Sequence, residues 1–121
     1  MTEIKRGDVL YIDLGEHTDS SIQSGVRPCI VVSNNLNNRY STNLCVCPFT
    51  SKLKENPVHV RIRPEDVDGY FLRESDCLAE QIVTVDKKRV LNKIGHISED
   101  SDVMQAINRA IRIQLGIERM N

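Results

Sequence analysis

From Asp8 to Leu14 the side chains alternate, with Leu10, Ile12 and Leu14 on one side of an extended backbone and Val9, Tyr11 and Asp13 on the other. A period of two marks a half-buried strand. The run Pro28-Cys29-Ile30-Val31-Val32 is apolar throughout, which predicts a strand buried on both faces. Asn43 to Phe49 predicts a third strand, and Val58, Val60 and Ile62 alternating with His59, Arg61 and Arg63 predict a fourth. Further short strands are expected within Cys77 to Val85 and from Lys93 to Ile97, with a brief helical turn over Asp86 to Leu91.

The polar segments between them are informative too. Gly15 to Gly25 is too long for a tight hairpin turn, so it is expected to be mobile or used for binding. Asn34-Asn35 and Asn37-Asn38 mark a loop, Thr50 to Asn56 is polar and lysine-bearing, and Pro64 and Asp68-Gly69 break the chain. Helical period appears only near the C-terminus, where Val103, Ile107, Ala110, Ile111 and Gln114-Leu115 recur at three- and four-residue spacing. Ser98 is the expected cap, Glu99, Asp100 and Asp102 suit the positive end of the helix dipole, and Gly116 is placed to stop the helix. Short strands divided by turn signals predict a mainly β fold, a small antiparallel barrel or strongly bent sheet, with this one helix packed on it.

A length of 121 residues predicts a single domain spanning residues 1–121, and 40% hydrophobic with 27% charged residues is the composition of a chain that folds. No apolar run approaches the roughly 18 to 20 residues of a membrane span, and Met1 to Arg6 lacks the apolar centre of a signal peptide. A cytoplasmic protein with no membrane partner is expected. Sixteen Lys and Arg against seventeen Asp and Glu give a net charge of -1, so any nucleic-acid site must be local. Basic residues gather at Lys5-Arg6, Lys52 with Lys54, Arg61 with Arg63, and Lys87-Lys88-Arg89.

Cys29, Cys45, Cys47 and Cys77 lack zinc-ligand spacing and read as small apolar core side chains. His17, His59 and His96 are scattered, and no phosphate loop, metal motif or nucleophile elbow is present. No metal and no cofactor are expected. What stands out is Gly25-Val26-Arg27-Pro28, at the junction of the long polar loop with the buried strand. Proline restricts the residue before it to extended conformations, so Arg27 leaves the backbone in a nearly fixed direction at the mouth of the loop. A guanidinium held there could bind a phosphate with paired hydrogen bonds, or sit in a surface salt bridge.

Several segments in order resemble the MazF/PemK toxin pattern. They are Lys5-Arg6-Gly7-Asp8-Val9, Gly25-Val26-Arg27-Pro28 running into Ile30 to Asn34, Pro48-Phe49-Thr50-Ser51, Leu78 to Arg89, Lys93-Ile94-Gly95-His96 and the helix ending in Leu115-Gly116. The resemblance implies an SH3-like barrel, a homodimer, and the toxin half of a type II toxin-antitoxin pair. It further implies metal-independent, sequence-specific cleavage of single-stranded RNA, mRNA included, that halts translation and growth. The ribose 2'-hydroxyl attacks the adjacent phosphate, leaving a 2',3'-cyclic phosphate and a 5'-hydroxyl. The matching catalytic residues are Arg27 and Thr50, the first stabilising charge on the phosphoryl oxygens and the second donating a hydrogen bond to them. Arginine stays protonated, so a role for Arg27 as proton acceptor is physically uncomfortable.

This chain departs from the pattern in one loop. Many family members carry Ser-Glu-Gln ahead of the glycine-x-arginine-proline motif, where Ser21-Ile22-Gln23-Ser24 stands here. The acidic residue is missing, so neither a mechanism that uses it nor a recognised RNA sequence transfers. Ser21, Gln23, Ser51, Lys52, Lys54, Glu80 and Gln81 are the expected RNA contacts, with the lysines on the backbone and Gln23, Glu80 and Gln81 on base edges. For Glu80 and Gln81 a strand-end network is an equal alternative. The implied protein partner is a cognate, MazE-like antitoxin whose acidic segment gains order on binding. The rival function is a non-catalytic module on the same barrel that grips a topoisomerase or a protein partner. The gyrase-poison relatives depend on a C-terminal tryptophan, and this chain has no Trp.

Overall fold

In the computed structural model, which describes residues 3–71 and 73–120, the alternating segment forms β1 (Asp8–Asp13) and the apolar run lies in β2 (Val26–Val31). They pair antiparallel, with Val9 opposite Ile30 and Ile12 opposite Arg27. Over Val9–Leu10 and Cys29–Val31 the strands are buried on two sides because the sheet carries a core on each. Val9 and Ile30 face one core, with Cys47, Phe49, Val60, Ile62, Met104 and Ile107. Leu10, Ile12, Cys29 and Val31 face the other, with Leu44, Val46 and Val85. Burying each such aliphatic chain contributes about 1.5–3 kcal/mol, and the double burial is why β2 reads as apolar without alternation.

The strand β3 (Asn43–Thr50) is the hub. One edge pairs with β2, Cys29 opposite Pro48. The other edge pairs first with β7 (Val83–Asp86) and then with β6 (Ser75–Leu78). The sequence predicted strand within Cys77 to Val85, and here the structure adds a break. From Cys77 to Val83 the chain advances six residues while β3 advances three, Phe49 back to Val46, so the excess is looped out as the 3-10 turn Ala79–Gln81. Beyond β6 lies β4 (His59–Ile62), and beyond β1 lie β8 (Val90–His96) and the two-residue β5 (Asp68–Gly69). The expected helical turn after Asp86 is the 3-10 turn Lys87–Arg89. The mainly β, bent antiparallel architecture with one C-terminal helix is as expected.

Two local expectations are corrected. The asparagine-rich loop is a short helix, α1 (Asn35–Tyr40), because the Asn34 side chain accepts the Asn37 amide at 2.8 Å and caps it. The C-terminal helix α2 (Asp102–Gln114) is capped by Ser101, whose hydroxyl accepts the Met104 amide, and not by Ser98, whose hydroxyl accepts the Asp100 amide instead. α2 turns Met104, Ile107 and Ala110 to the first core and packs on β4. At its end Gly116 has φ +76°, and the amides of Gly116 and Ile117 return to the carbonyls of Ile113 and Arg112, a glycine-terminated stop. Gly7, with φ +93°, has the Ile97 carbonyl where a Cβ would stand, so the turn before β1 requires glycine. Among the described residues no helix is long and apolar enough to cross a membrane.

Candidate functional site

Strand register decides which side chains share a face. Arg27 lies opposite Ile12, so it belongs with Cys29 and Val31 to the face of the second core, at the end where that core opens. In β3, Val46, Pro48 and Thr50 follow one another on that same face, while Cys47, Phe49 and Ser51 turn to the other. The β2–β3 ladder stops at Cys29 and Pro48, since neither Pro28 nor Pro48 has an amide hydrogen to continue it. Counted two residues further, the same register sets Arg27 across from Thr50.

A concavity of about 530 Å³ lies on the opposite face, walled by Tyr11, Val26, Pro28, Phe49, Tyr70 and Phe71. Its size invites the choice of active site. Arg27 and Ser24 also line it, while alternation along β3 turns the Thr50 side chain to the other side. Ser51 lines this concavity and so parts company with the other expected RNA contacts.

On the face of Arg27 and Thr50 the side chains form a connected set. The Nε of Arg27 donates to the Ser24 carbonyl at 3.2 Å, and among the described residues its two terminal amines have no hydrogen bond and no carboxylate partner. Thr50 is buried, and its hydroxyl oxygen accepts the Lys52 amide at 3.2 Å, leaving its own hydrogen to donate elsewhere. Asp76 lies directly opposite Thr50 on β6 and is 1% exposed. Its Oδ1 accepts from Arg61 Nε at 2.7 Å, and its Oδ2 accepts the Lys54 amide at 2.8 Å and faces His59 Nδ1 at 3.4 Å. Burial alone would raise the Asp76 pKa. The Arg61 and Lys54 hydrogen bonds and the Arg61 charge outweigh it and hold the carboxyl below its ordinary range. Arg61 also donates to Glu74 at 3.2 Å.

The remaining expected residues join this set from two loops. His59 Nε2 lies 2.7 Å from Glu80 Oε2 on the 3-10 turn. The neighbouring Gln81 accepts the Gln23 amide at 2.7 Å and donates to the Ser21 carbonyl at 3.1 Å, which ties the polar loop to the turn. That loop is closed at its base by bonds between Leu14 and Gly25 and between Gly25 and Gly15. Glu80 and Gln81 thus make hydrogen bonds at the strand end, and these bonds hold them beside the polar loop. Lys52 and Lys54 are exposed on the β3–β4 loop, with no ion-pair partner among the described residues. His59, Arg61 and Asp76 were missed as members of the site. His59 and Arg61 stand visibly on the polar side of β4, but their meeting with Asp76 depends on the β4–β6 register.

Comparison with known proteins adds a family. A family model described as PemK-like, MazF-like toxin of type II toxin-antitoxin system matches residues 5–115. An endoribonuclease, EndoA of Bacillus subtilis strain 168, is 38% identical over 117 residues, covering 94% of this chain and 96% of the relative. A mycobacterial endoribonuclease solved in complex with its cognate antitoxin superposes with a TM-score of 0.73 at 26% identity, covering 98% of each chain. MazF from Deinococcus radiodurans superposes with a TM-score of 0.80 at 20% identity, over 96% of this chain and 99% of that one.

Proposed function

The chain belongs to the PemK-like, MazF-like toxins of type II toxin-antitoxin systems, and from that premise we propose how it carries out its reaction. It is a toxin and an endoribonuclease. The substrate is single-stranded RNA, laid across the face that holds Arg27 and Thr50. The 2'-oxygen attacks the neighbouring phosphorus while the bond to the 5'-oxygen breaks; the 2'-proton leaves to an acceptor and the departing oxygen takes one up. The products are a 2',3'-cyclic phosphate and a 5'-hydroxyl.

Negative charge grows on the phosphoryl oxygens as the attack proceeds, and donors already aimed at them lower the barrier. The observation that carries this reading is a set of uncommitted donors, the terminal amines of Arg27 and the hydroxyl hydrogen of Thr50, which the β2–β3 register extended by two residues would set across from each other. Arg27 stabilises charge and does not accept the proton, because a guanidinium stays protonated. Lys52 and Lys54 contact the RNA backbone, and Ser21, Gln23, Glu80 and Gln81 meet the bases. No metal takes part. The active form is a homodimer, and a cognate antitoxin's acidic segment occupies the same cationic face. Cutting of cellular mRNA halts translation and growth.

The test is incubation of the purified protein with single-stranded RNA in EDTA and analysis of the ends. Cyclic phosphate and 5'-hydroxyl ends are expected, and Arg27→Ala should lower cutting by about 10²–10³-fold with the melting temperature kept. RNA left whole across a randomised pool, or cutting untouched by the substitution, would sink the reading.

A further inference from the structure

The two loops assigned to RNA on this face are not anchored separately. Asp76 receives the Lys54 amide and so fixes the middle of the loop that follows Thr50. Glu80 is the middle residue of the turn whose next residue, Gln81, holds Ser21 and Gln23. One side chain stands between these carboxylates. His59 is 9% exposed and presents Nε2 to Glu80 at 2.7 Å and Nδ1 to Asp76 at 3.4 Å. Among the described residues the other oxygen of Glu80, Oε1, is buried with no hydrogen-bond partner, so the bond to His59 is what orients that carboxylate.

We infer that His59 is a positioning residue that sets the base-reading turn Ala79–Gln81 against the Thr50 loop by bridging Glu80 and Asp76. The geometry suits histidine in particular. The two ring nitrogens face carboxylate oxygens on opposite sides of one flat ring. Arg61 on the same strand pairs with both Asp76 and Glu74 and offsets part of the carboxylate charge around the ring. A rigid imidazole of fixed width holds two backbone elements at one separation. A flexible side chain would not. The inference rests on the RNA-cutting reading, since it assigns what the positioned loops do.

The test compares wild type, His59→Ala and His59→Gln in full-length protein, on a randomised single-stranded RNA pool and on the wild type's preferred sequence. Glutamine keeps a polar end but lacks a flat ring with a nitrogen on each side, so it does not span the two carboxylates at the same separation. Expected are a KM raised by about tenfold in His59→Ala, roughly the factor of one charge-assisted hydrogen bond, a relaxed sequence preference, and kcat within about threefold of wild type. His59→Gln should fall between. Without RNA, exchange of the Lys54 and Gln23 amides should quicken in His59→Ala while the melting temperature holds.

Wild-type KM and sequence preference in His59→Ala would overturn the inference while the nuclease reading stood. So would a loss confined to kcat, which would put His59 in the chemistry itself, or unfolding of both variants. A wild type that cuts no RNA, with amide exchange still responding to His59, would sink the nuclease reading and keep the bridge.

Discussion

Thr50 and Asp76 are direct cross-strand partners, the threonine at the end of β3 and the aspartate in the middle of the four-residue β6. Opposed residues in an antiparallel pair point to the same side, so a buried, hydrogen-bonded carboxylate backs the hydroxyl assigned to the phosphoryl group. Two substitutions separate the roles. Thr50→Val keeps the shape and removes the donor, and should lower kcat by about 10²-fold with the melting temperature nearly unchanged. Thr50→Ser should retain most activity. Steady-state kinetics beside a thermal melt reads both.

Asp76→Ala should act mainly on structure. It strips partners from Arg61 Nε and the Lys54 amide, and loss of hydrogen bonds to a charged group costs roughly 1.5–3 kcal/mol. Arg61 is part-exposed and can turn to water, which argues for the low end of that range. Urea unfolding monitored by circular dichroism gives the value. A variant as stable as wild type would mean the cluster adds nothing to the fold.

Asp76 also predicts the acid limb of stability. Its folded pKa lies below the ordinary value of 3.8, so between the folded pKa and about 3.8 the unfolded chain binds more protons than the folded one. The stabilisation is therefore complete above the ordinary aspartate value and is lost as pH falls through the folded one. Glu118, lowered by its bonds to Arg109 and Arg112, acts in the same direction below 4.5. Stability measured from pH 2 to 6 should decline on the acid side, and less steeply in Asp76→Asn.

The thiols of Cys29 and Cys77 should be inert in the folded protein. Burial, with the nearby Cys47 thiol, pushes Cys29 up to about 12, and a hydrogen bond with Cys47 together with burial raises Cys77 well above the usual thiol range. Only thiolate reacts, so a disulfide-exchange reagent at pH 8 should label Cys45 first, the one cysteine that is not fully buried. All four should label in guanidinium. Rapid native labelling of Cys29 would contradict the packing.

Ser101→Ala should cost about 1 kcal/mol by removing the bond to the Met104 amide, while Ser98→Ala should cost less. Parallel thermal melts of the two variants decide which serine caps α2.

Much of this protein was determined by its sequence. Alternation at Asp8 to Leu14, the apolar run before Val32 and the three- and four-residue spacing near Ile107 are local consequences of how a strand or helix meets a core, and the structure keeps these elements, although Val9 puts a second core against β1 where a half-buried strand was expected. The motif around Arg27 and its match to a known toxin pattern were also legible, being written in consecutive residues. What the tertiary structure alone decided is which side chains meet. The shift in register along β3 ejects Ala79–Gln81 as a turn, and that turn brings Gln81 to Ser21 and Gln23, nearly sixty positions away in the chain. The β4–β6 register delivers His59 and Arg61 to Asp76. Alternation parts Ser51 from Thr50, so that the large concavity takes in Arg27 and Ser51 but not Thr50. Pairing between distant strands depends on the sum of all their contacts, and no single segment carries that sum.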